Sequence, residues 1–410
     1  METIVIDSSY TEKISHLNSV IIKNYLFKLY RTSPDSGIVR VLKVLGISNL
    51  GDTYSFASTP DYSYNDSNDQ YNFADHFLIF SVDFENGGYE ITLKRVITTD
   101  HKMRDVEENY ISITGTIREC DRPQELFTLI NKSAVSNFSF KGKIVKYKRS
   151  EDAYFIDHLN IVEPKPTSLD NIFLPNYKIN QIARFIDTAS NFSKHNISLR
   201  YLFNGPPGTG KTQIMNSIIT SLKGKTTIVI CNGADIEIDQ IFEFCSLFNP
   251  CILVIDDIDF LAGNRDGNNG DHTKLANLLQ VLDGFIPNNI FILAATNDKK
   301  LVDEAAARPG RFDLILDIGE IEVDNYISLI KRETDDNNIL ELFSPQILNK
   351  MEDKKVSGAF IVNLVKQLKT IRVSGHSVDY EIFADLFNQL YKGFYDYNDY
   401  SFNKTVGFIK

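Results

Sequence analysis

An eight-residue glycine-rich pattern limits what this chain can fold into more than any other feature. It consists of Gly205, Pro206, Pro207, Gly208, Thr209, Gly210, Lys211 and Thr212. Glycines reach backbone angles that other residues avoid, so the loop can curl around a phosphate with its amide hydrogens pointing inward. The Lys211 ammonium can then neutralise the β- and γ-phosphates, while the Thr212 hydroxyl can ligate Mg²⁺. The pattern therefore predicts a site for a nucleoside triphosphate.

The residues on either side of this loop supply the context that the pattern requires. Residues 200–204 predict a short buried strand, and apolar residues at helical spacing follow the loop from Ile214 to Leu222. A strand, a loop and a helix in that order place the positive end of the helix dipole at the phosphates. The alternative is a glycine-rich turn that matches by chance, and the flanking elements argue against it.

A second candidate part of the site lies at the end of the apolar run 251–255, which stops at Asp256 and Asp257. A buried strand would deliver both carboxylates to its carboxyl end, where nucleotides bind in open α/β sheets. We predict that Asp256 holds Mg²⁺ together with Thr212, and that Asp257 is catalytic and orients the attacking water. The alternative is a strand followed by an acidic turn.

Three further residues are candidate catalytic groups. Asn297 follows the apolar run 290–296, where its amide could hydrogen-bond a γ-phosphate oxygen or the attacking water. Arg308 and Arg311 flank a Pro-Gly turn, and an arginine supplied by a neighbouring subunit raises phosphoryl-transfer rates by about 10³ to 10⁵. Taken alone, Asn297 is more typical of a turn. Arginines are common on protein surfaces, so the pair alone carries little weight.

Composition argues against several classes of protein. The net charge of −11 does not suit a large non-specific nucleic-acid surface, because such surfaces depend on clustered Lys and Arg. No run of roughly 18 apolar residues occurs and the first residues do not resemble a signal peptide, so we predict no membrane anchor. The four cysteines lack CxxC spacing, which indicates neither a zinc site nor a disulfide framework. We therefore expect a cytoplasmic protein.

The chain of 410 residues is long enough for several cores, because a single core stops growing at about 250 to 300 residues. Residues 1–162 predict an α+β, strand-rich amino-terminal domain. Within it we expect strands in 77–84, 89–93, 110–114 and 154–156, helices at 12–30 and after Asp121, and a loop at 61–70. The domain carries no obvious chemical constellation.

Residues 163–168 contain two prolines and predict a linker to the second half of the chain. In 169–319, apolar strands alternate with helices, which predicts an α/β domain with a parallel five-stranded sheet. The expected strands are 200–204, 226–231, 251–256, 290–295 and 314–317. Residues 320–392 predict a helical lid with apolar stripes, and 393–410 form an aromatic carboxy-terminal tail.

These features together resemble the AAA ATPase family, a branch of the P-loop nucleotide triphosphatases, over residues 169–391. The matches occur in the family's order: the phosphate loop at 205–212, the acidic strand end at 252–259, Asp283 to Phe285, Asn297 as the first sensor, and Arg308 with Arg311 as arginine fingers. The resemblance implies ATP and Mg²⁺, a strand order of 5-1-4-3-2, and a ring, usually of six copies of the chain. It also implies nucleotide contacts from Ile172, Gln213, Gly358 and Ala359.

The chain departs from the family pattern in two places. Asp257 stands where the family usually has glutamate; one methylene fewer withdraws the carboxylate, so we predict slow turnover. The segment 231–241 lacks the aromatic triplet that grips an extended polypeptide, and its short acidic character resembles the AAA protein that moves folded Rieske subunits across the mitochondrial inner membrane. The loop 262–271 could grip a client instead, or could be a plain solvated loop.

The leading hypothesis from the sequence is an ATP-driven homo-oligomeric ring, with six subunits, that remodels, disassembles or translocates a protein client recruited by residues 1–162. One alternative is a nucleotide-gated assembly switch with slow hydrolysis, which the aspartate at 257 favours. Another is a nucleic-acid motor or loader, which the acidic net charge disfavours.

Overall fold

The computed structural model describes residues 9–32, 39–50, 53–57, 62–66, 69–73, 77–84, 87–99, 105–115, 122–149, 155–233, 236–262, 272–284, 287–297, 308, 310–319 and 321–396. They belong to two compact units. The first comprises Met1–Glu163, Gly224–Val229 and Asp239–Cys251, and the second comprises Pro164–Lys223, Ile230–Ile238 and Ile252–Lys410. The domain boundaries inferred from the sequence stay predictions.

The first unit contains a six-stranded sheet in the order β1-β8-β7-β6-β2-β3, with antiparallel pairing at each step. Its elements are β1 (Ser9–Ile14), α1 (His16–Thr32), β2 (Val39–Leu50), β3 (Thr53–Ala57), β4 (Tyr62–Asn65), β5 (Gln70–Phe73), β6 (Phe77–Phe84), β7 (Gly87–Thr99), β8 (Asp105–Gly115) and α2 (Pro123–Ser136). Strands β4 and β5 form a separate antiparallel pair. The strand-rich α+β character expected of this region is therefore present.

Two local predictions for this unit were wrong, and one helix begins later than expected. The helix expected over roughly 12–30 is present but begins at His16, because Glu12 lies in β1 and pairs with Ile111. The loop expected at 61–70 contains β4 and the start of β5. The strand expected at 154–156 is replaced by a 3₁₀ turn, Phe155–His158, while Tyr154 lies outside the described residues.

The second sheet has seven strands in the order β10-β9-β12-β13-β14-β11-β15. These strands are β9 (Ile144–Tyr147), β10 (Leu159–Ile161), β11 (Arg200–Asn204), β12 (Thr227–Asn232), β13 (Cys251–Asp256), β14 (Ile290–Thr296) and β15 (Leu314–Asp317). The five strands expected after the linker are all present, and their order is the implied 5-1-4-3-2. Strand β11 runs parallel to both β14 and β15.

The sequence predicted five strands for this sheet, two fewer than the seven it contains. Strands β9 and β10 pair antiparallel with each other, and the chain beside β9 bonds to β12, where the Ile228 amide donates to the Lys143 carbonyl at 3.0 Å. Both extra strands precede the linker in sequence, so the alternation of strands and helices after residue 169 contains no sign of them.

Helices alternate with these strands along the chain after the linker, and an all-helical carboxy-terminal region follows. They are α3 (Asn176–Ser190), α4 (Phe192–His195), α5 (Lys211–Leu222), α6 (Ile238–Ser246), α7 (His272–Asp283), α8 (Tyr326–Glu333), α9 (Asn337–Leu342), α10 (Pro345–Asp353), α11 (Gly358–Val373) and α12 (Tyr380–Tyr391). Helices α8 to α12 share one apolar core, which we call the lid core. It includes Phe360, Leu364 and Leu368 from one predicted stripe and Phe383 from the other.

No helix in the described part of the chain combines the length and apolar character needed to cross a membrane. The loop predicted to face the centre of a ring lies outside the described residues from 263 onward, and so does the aromatic tail beyond Asp396.

Candidate functional site

The glycine-rich loop connects β11 to α5, as the sequence predicts. Gly208 and Gly210 have φ angles of +79° and +97°, in the left-handed region that favours glycine. Gly210 caps the amino terminus of α5, so Lys211 is the first residue of that helix. The amide groups of the first helical turn therefore face the space in front of the loop, which suits an anion.

The Lys211 side chain is the central cation of the site and is only 7% exposed as a residue. Its ammonium group donates to the carbonyls of Gly205 at 2.7 Å and Pro206 at 2.9 Å, and to Oδ1 of Asn297 at 2.7 Å. Burial lowers the pKa of Lys211, whereas the nearby Asp257 and other carboxylates act to raise it. These contacts hold the ammonium beside the loop, where a phosphate can replace the carbonyls.

Thr212 and Asp256 place two hard oxygen atoms next to each other. The Thr212 hydroxyl donates to Oδ2 of Asp256 at 3.1 Å. Mg²⁺ prefers oxygen ligands and usually keeps several waters, with one or two carboxylates and substrate phosphates completing its shell. The two residues therefore fit a Mg²⁺ ion carried by a nucleotide, and they are the candidate metal ligands.

Asp257 lies at the end of β13 with a φ angle of +51°, an uncommon conformation for a residue with a side chain. Its Oδ1 accepts a hydrogen bond at 3.1 Å from the side-chain amide of Asn297. Burial raises the pKa of Asp257, and the neighbouring Asp256 and Asp259 carboxylates raise it further. A raised pKa makes this carboxylate a stronger base than an ordinary aspartate.

Asn297 links the loop to the acidic strand end, because its amide contacts both Lys211 and Asp257. Its position depends on Asp259, a residue to which the sequence assigned no separate role. Oδ1 of Asp259 accepts from the Thr296 hydroxyl at 3.1 Å and from the Asn297 backbone amide at 3.2 Å. Asp259 belongs to the acidic run after β13, so the sequence placed it near the site. The contact of Asp259 with Thr296 in β14 is seen only in the structure.

These groups line one cavity of about 720 Å³, within the size range of ligand pockets. The predicted residues in its wall are Ile172, Pro207, Gly208, Thr209, Gly210, Lys211, Thr212, Gln213, Asp256, Asp257, Asn297, Gly358 and Ala359. Gly205 and Pro206 act through their carbonyls, which Lys211 contacts. Arg308 and Arg311 are not part of the wall.

The lid contributes to the cavity through the first turn of α11. The Ala359 amide donates to the Gly208 carbonyl at 3.3 Å, so the lid touches the phosphate loop directly. The Ser357 hydroxyl caps α11 by accepting from the Phe360 amide at 3.2 Å. The sequence did not single out several other wall residues: Ile321, Leu329, Arg332, Val362, Asn363 and Lys366.

Arg308 and Arg311 occupy different environments although they are only three residues apart. Arg308 is exposed, whereas Arg311 is 6% exposed. The Arg311 guanidinium donates to both carboxylate oxygens of Asp283, at 2.7 Å and 2.6 Å. The hydrogen bonds from Arg311 lower the pKa of Asp283, and the same hydrogen bonds raise the pKa of Arg311. Phe285, which completes the predicted motif after Asp283, lies outside the described residues.

This ion pair predicts a pH-dependent stability difference between the wild type and Asp283→Asn. The folded pKa of Asp283 lies below its ordinary value of 3.8, so the carboxylate stabilises the fold above that value and loses its effect as the pH falls through the folded pKa. We expect Asp283→Asn to melt at a lower temperature than the wild type at pH 7, with the gap closing below about pH 4. A gap that stays constant from pH 7 to pH 3 in thermal melts would contradict this.

The loop, the acidic strand end and the parallel pairing of β11 define a P-loop nucleotide-binding domain. The family model for "ATPase family associated with various cellular activities (AAA)" matches residues 201–320. Residues 201–320 therefore match the AAA family, in agreement with the resemblance inferred from the motifs.

Known relatives are similar to about a third of the chain. A proteasome-activating nucleotidase from Saccharolobus islandicus is 37% identical over 164 residues, covering 35% of this chain and 41% of the relative. The peroxisomal ATPase PEX6 from Saccharomyces cerevisiae is 35% identical over 155 residues, covering 34% of this chain and 14% of that protein. The chain thus spans about two fifths of the nucleotidase and a smaller share of the peroxisomal ATPase.

Proposed function

We propose that the chain hydrolyses ATP within a homo-oligomeric ring, with six subunits, and uses the cycle to remodel, disassemble or translocate a protein client recruited by residues 1–162. One observation carries most of the proposal: Lys211, Asp256, Asp257 and Asn297 meet in one cavity, whereas Arg308 is exposed and lies outside its wall. A site of this kind is complete when a second copy of the chain supplies the arginine.

In the proposed reaction, Lys211 exchanges its carbonyl partners for oxygens of the β- and γ-phosphates. Asp257 accepts a proton from water as the water oxygen bonds to the γ-phosphorus, and the bond to the bridging oxygen breaks to release ADP. Asn297 holds the water or a γ-phosphate oxygen in line. Mg²⁺, held by Thr212 and Asp256, would neutralise charge on the phosphates.

Slow turnover follows from the position of Asp257. Its side chain is one methylene shorter than glutamate, and a displacement of about 1 Å can cost on the order of 100-fold in rate. One of its carboxylate oxygens is also occupied by Asn297. These features favour the second candidate function as well, a nucleotide-gated assembly switch in which ATP binding builds the ring and slow hydrolysis disassembles it.

A protein client is favoured over nucleic acid by two observations. The net charge of −11 disfavours a polyanionic partner, and one relative is named for activating the proteasome, itself a protein assembly. Recruitment of the client by residues 1–162 and the partial likeness to the Rieske translocase type of AAA protein are part of the proposal.

We expect Asp257→Asn to lower steady-state ATP turnover by about 100-fold, because the amide cannot accept the proton from water. Binding of ATP should persist, since Lys211 and Thr212 are unchanged, and the ring should accumulate in its ATP-bound form. Turnover measured by phosphate release and particle mass measured by light scattering, with and without ATP, check both points.

Two further variants sharpen this experiment. Asp257→Glu should raise turnover, because it restores the missing methylene, whereas Asp239→Asn changes an exposed acid on α6 and should behave as the wild type. Unchanged turnover in Asp257→Asn would show that Asp257 is not the general base that accepts the proton from water. A single-subunit particle in saturating ATP would count against the ring, and a ring that forms with ATP but acts on no protein would favour the switch.

A further inference from the structure

Besides the phosphate loop, the wall of the nucleotide cavity includes the segment 171–174 and the apolar lid side chains Ile321, Leu329 and Val362. We call this part of the wall the base end. Phe173 in this segment packs against the lid core. The proposed function places the nucleotide base at this end, since the phosphates occupy the other.

Arg332 joins this segment to the lid. It lies on α8, and its guanidinium donates through Nη1 to the Asn171 backbone carbonyl at 2.8 Å. The same guanidinium lies over the ring of Phe173, 5.5 Å from the ring centre, within the range of a cation–π contact. One side chain therefore holds both the backbone and the ring of a segment that precedes it by 161 positions.

The guanidinium is itself fixed in place by its neighbours. Nε and Nη2 of Arg332 donate to Oε1 of Glu333 at 2.9 Å and 2.8 Å. The Glu333 backbone carbonyl accepts from the Lys369 ammonium on α11 at 2.9 Å. The side chains of Arg332 and Glu333 are 25% and 29% exposed, so water only partly screens the pair. The connection thus runs from the segment through α8 to α11.

We propose that Arg332 is a positioning residue for nucleotide binding, which clamps Asn171 and Phe173 against the lid and so keeps the base end of the cavity closed. The inference rests on the proposed function in taking the ligand to be ATP. Arg332 makes no contact with Lys211, Asp256 or Asp257 in the described structure, so its effect falls on how long a nucleotide stays bound rather than on the chemical step.

The test measures binding and turnover separately, with N-methylanthraniloyl-ATP as the fluorescent probe. We expect Arg332→Ala to raise the dissociation constant of the probe about tenfold through faster release, the loss typical of a hydrogen bond from a charged group. The kcat at saturating ATP should change less than about threefold, because the chemical groups remain in place. Arg332→Lys keeps the positive charge near Phe173 but loses the forked donors, so its dissociation constant should lie between those of Arg332→Ala and the wild type.

Arg372→Ala is the matched control. Arg372 also belongs to the lid and pairs with Asp336 at 3.1 Å, with a side chain 34% exposed, but it does not line the cavity. This variant should leave the dissociation constant of the probe unchanged while testing the general cost of losing a lid ion pair. Equal affinities in Arg332→Ala and the wild type, or equal losses in Arg332→Ala and Arg372→Ala, would overturn the clamp. A wild-type chain that binds no ATP would overturn the proposed function and the clamp together.

Discussion

Replacing Arg308 by alanine is expected to lower ATP turnover by about 1,000-fold or more, the effect of removing an arginine that stabilises transition-state charge. Thermal stability should stay at the wild-type value, because the residue is exposed. Arg184→Ala, which removes another exposed arginine on α3, is the control and should retain full turnover.

Mixing two inactive variants would show whether Arg308 acts on a neighbouring copy. Lys211→Ala lacks phosphate binding but has an intact Arg308, and Arg308→Ala has the reverse defect. In a mixed ring, some interfaces combine an intact cavity with an intact arginine, so turnover should recover in part. No recovery after subunit exchange, or a small effect of Arg308→Ala alone, would contradict a shared site.

Arg311 should behave differently from Arg308 in the same experiments. Its guanidinium is buried and already bonded to both oxygens of Asp283. Removing it takes away the packing of a buried side chain and leaves the exposed carboxylate of Asp283 without its partner, so a fall in melting temperature should accompany any loss of turnover. Comparing the two variants therefore separates a direct role from one exerted through the loop that carries Arg308.

The largest expected effect on stability comes from Gly205→Ala. A methyl group at this position would lie 2.0 Å from the Ile318 carbonyl oxygen and 2.9 Å from its carbon. The clash is with backbone held by the bond from the Ile318 amide to the Asn204 carbonyl, so it cannot be relieved by turning a side chain. We expect destabilisation of about 3 kcal/mol or more and a melting temperature lower by roughly 6 °C or more.

Gly319→Ala is the control for this effect, since a methyl group there would meet no atom within 4 Å. Both variants change a glycine at the carboxyl end of the sheet, next to the same Ile318. Similar melting temperatures for the two variants would mean that the close approach at Gly205 is not required.

Local sequence patterns predicted the phosphate loop and the strand that carries Asp256 and Asp257, because each lies within one continuous segment. The strand order followed from the family resemblance, and the seven-stranded sheet preserves it. The polar groups Lys211 and Asn297 were likewise predictable, since Lys211 lies within the glycine-rich pattern and Asn297 directly follows an apolar run. Each of these groups lies close in sequence to the strand or helix that carries it.

Contacts between distant segments were not predictable in this way. Arg332 reads as an ordinary polar residue on α8, and only the fold brings it to Asn171 and Phe173. Arg308 and Arg311 look equivalent in sequence, and the difference between them depends on Asp283, which the chain places at the end of α7.

The first unit contains another contact between distant residues that the local sequence does not predict. The polar stretch at 61–70 was predicted to be a loop, yet its last residue begins β5. A side chain bonds to the backbone of this strand at both its amide and its carbonyl, as a neighbouring strand would. The Asn24 amide donates to the Tyr71 carbonyl at 3.0 Å, and its oxygen accepts from the Tyr71 amide at 2.6 Å. Asn24 and Tyr71 are 47 positions apart, so the local sequence does not predict this contact.

The two compact units interleave along the chain, which alternates between them in six segments. Residues of α6 and the turn after it, such as Phe244 and Phe248, pack their rings against Phe138, far on the other side of the linker. A chain cut at the linker would therefore leave Phe138 in one piece and its ring partners Phe244 and Phe248 in the other. Residues 1–163 do not make up the whole of the first unit, so we expect them to fold only together with the segments 224–229 and 239–251.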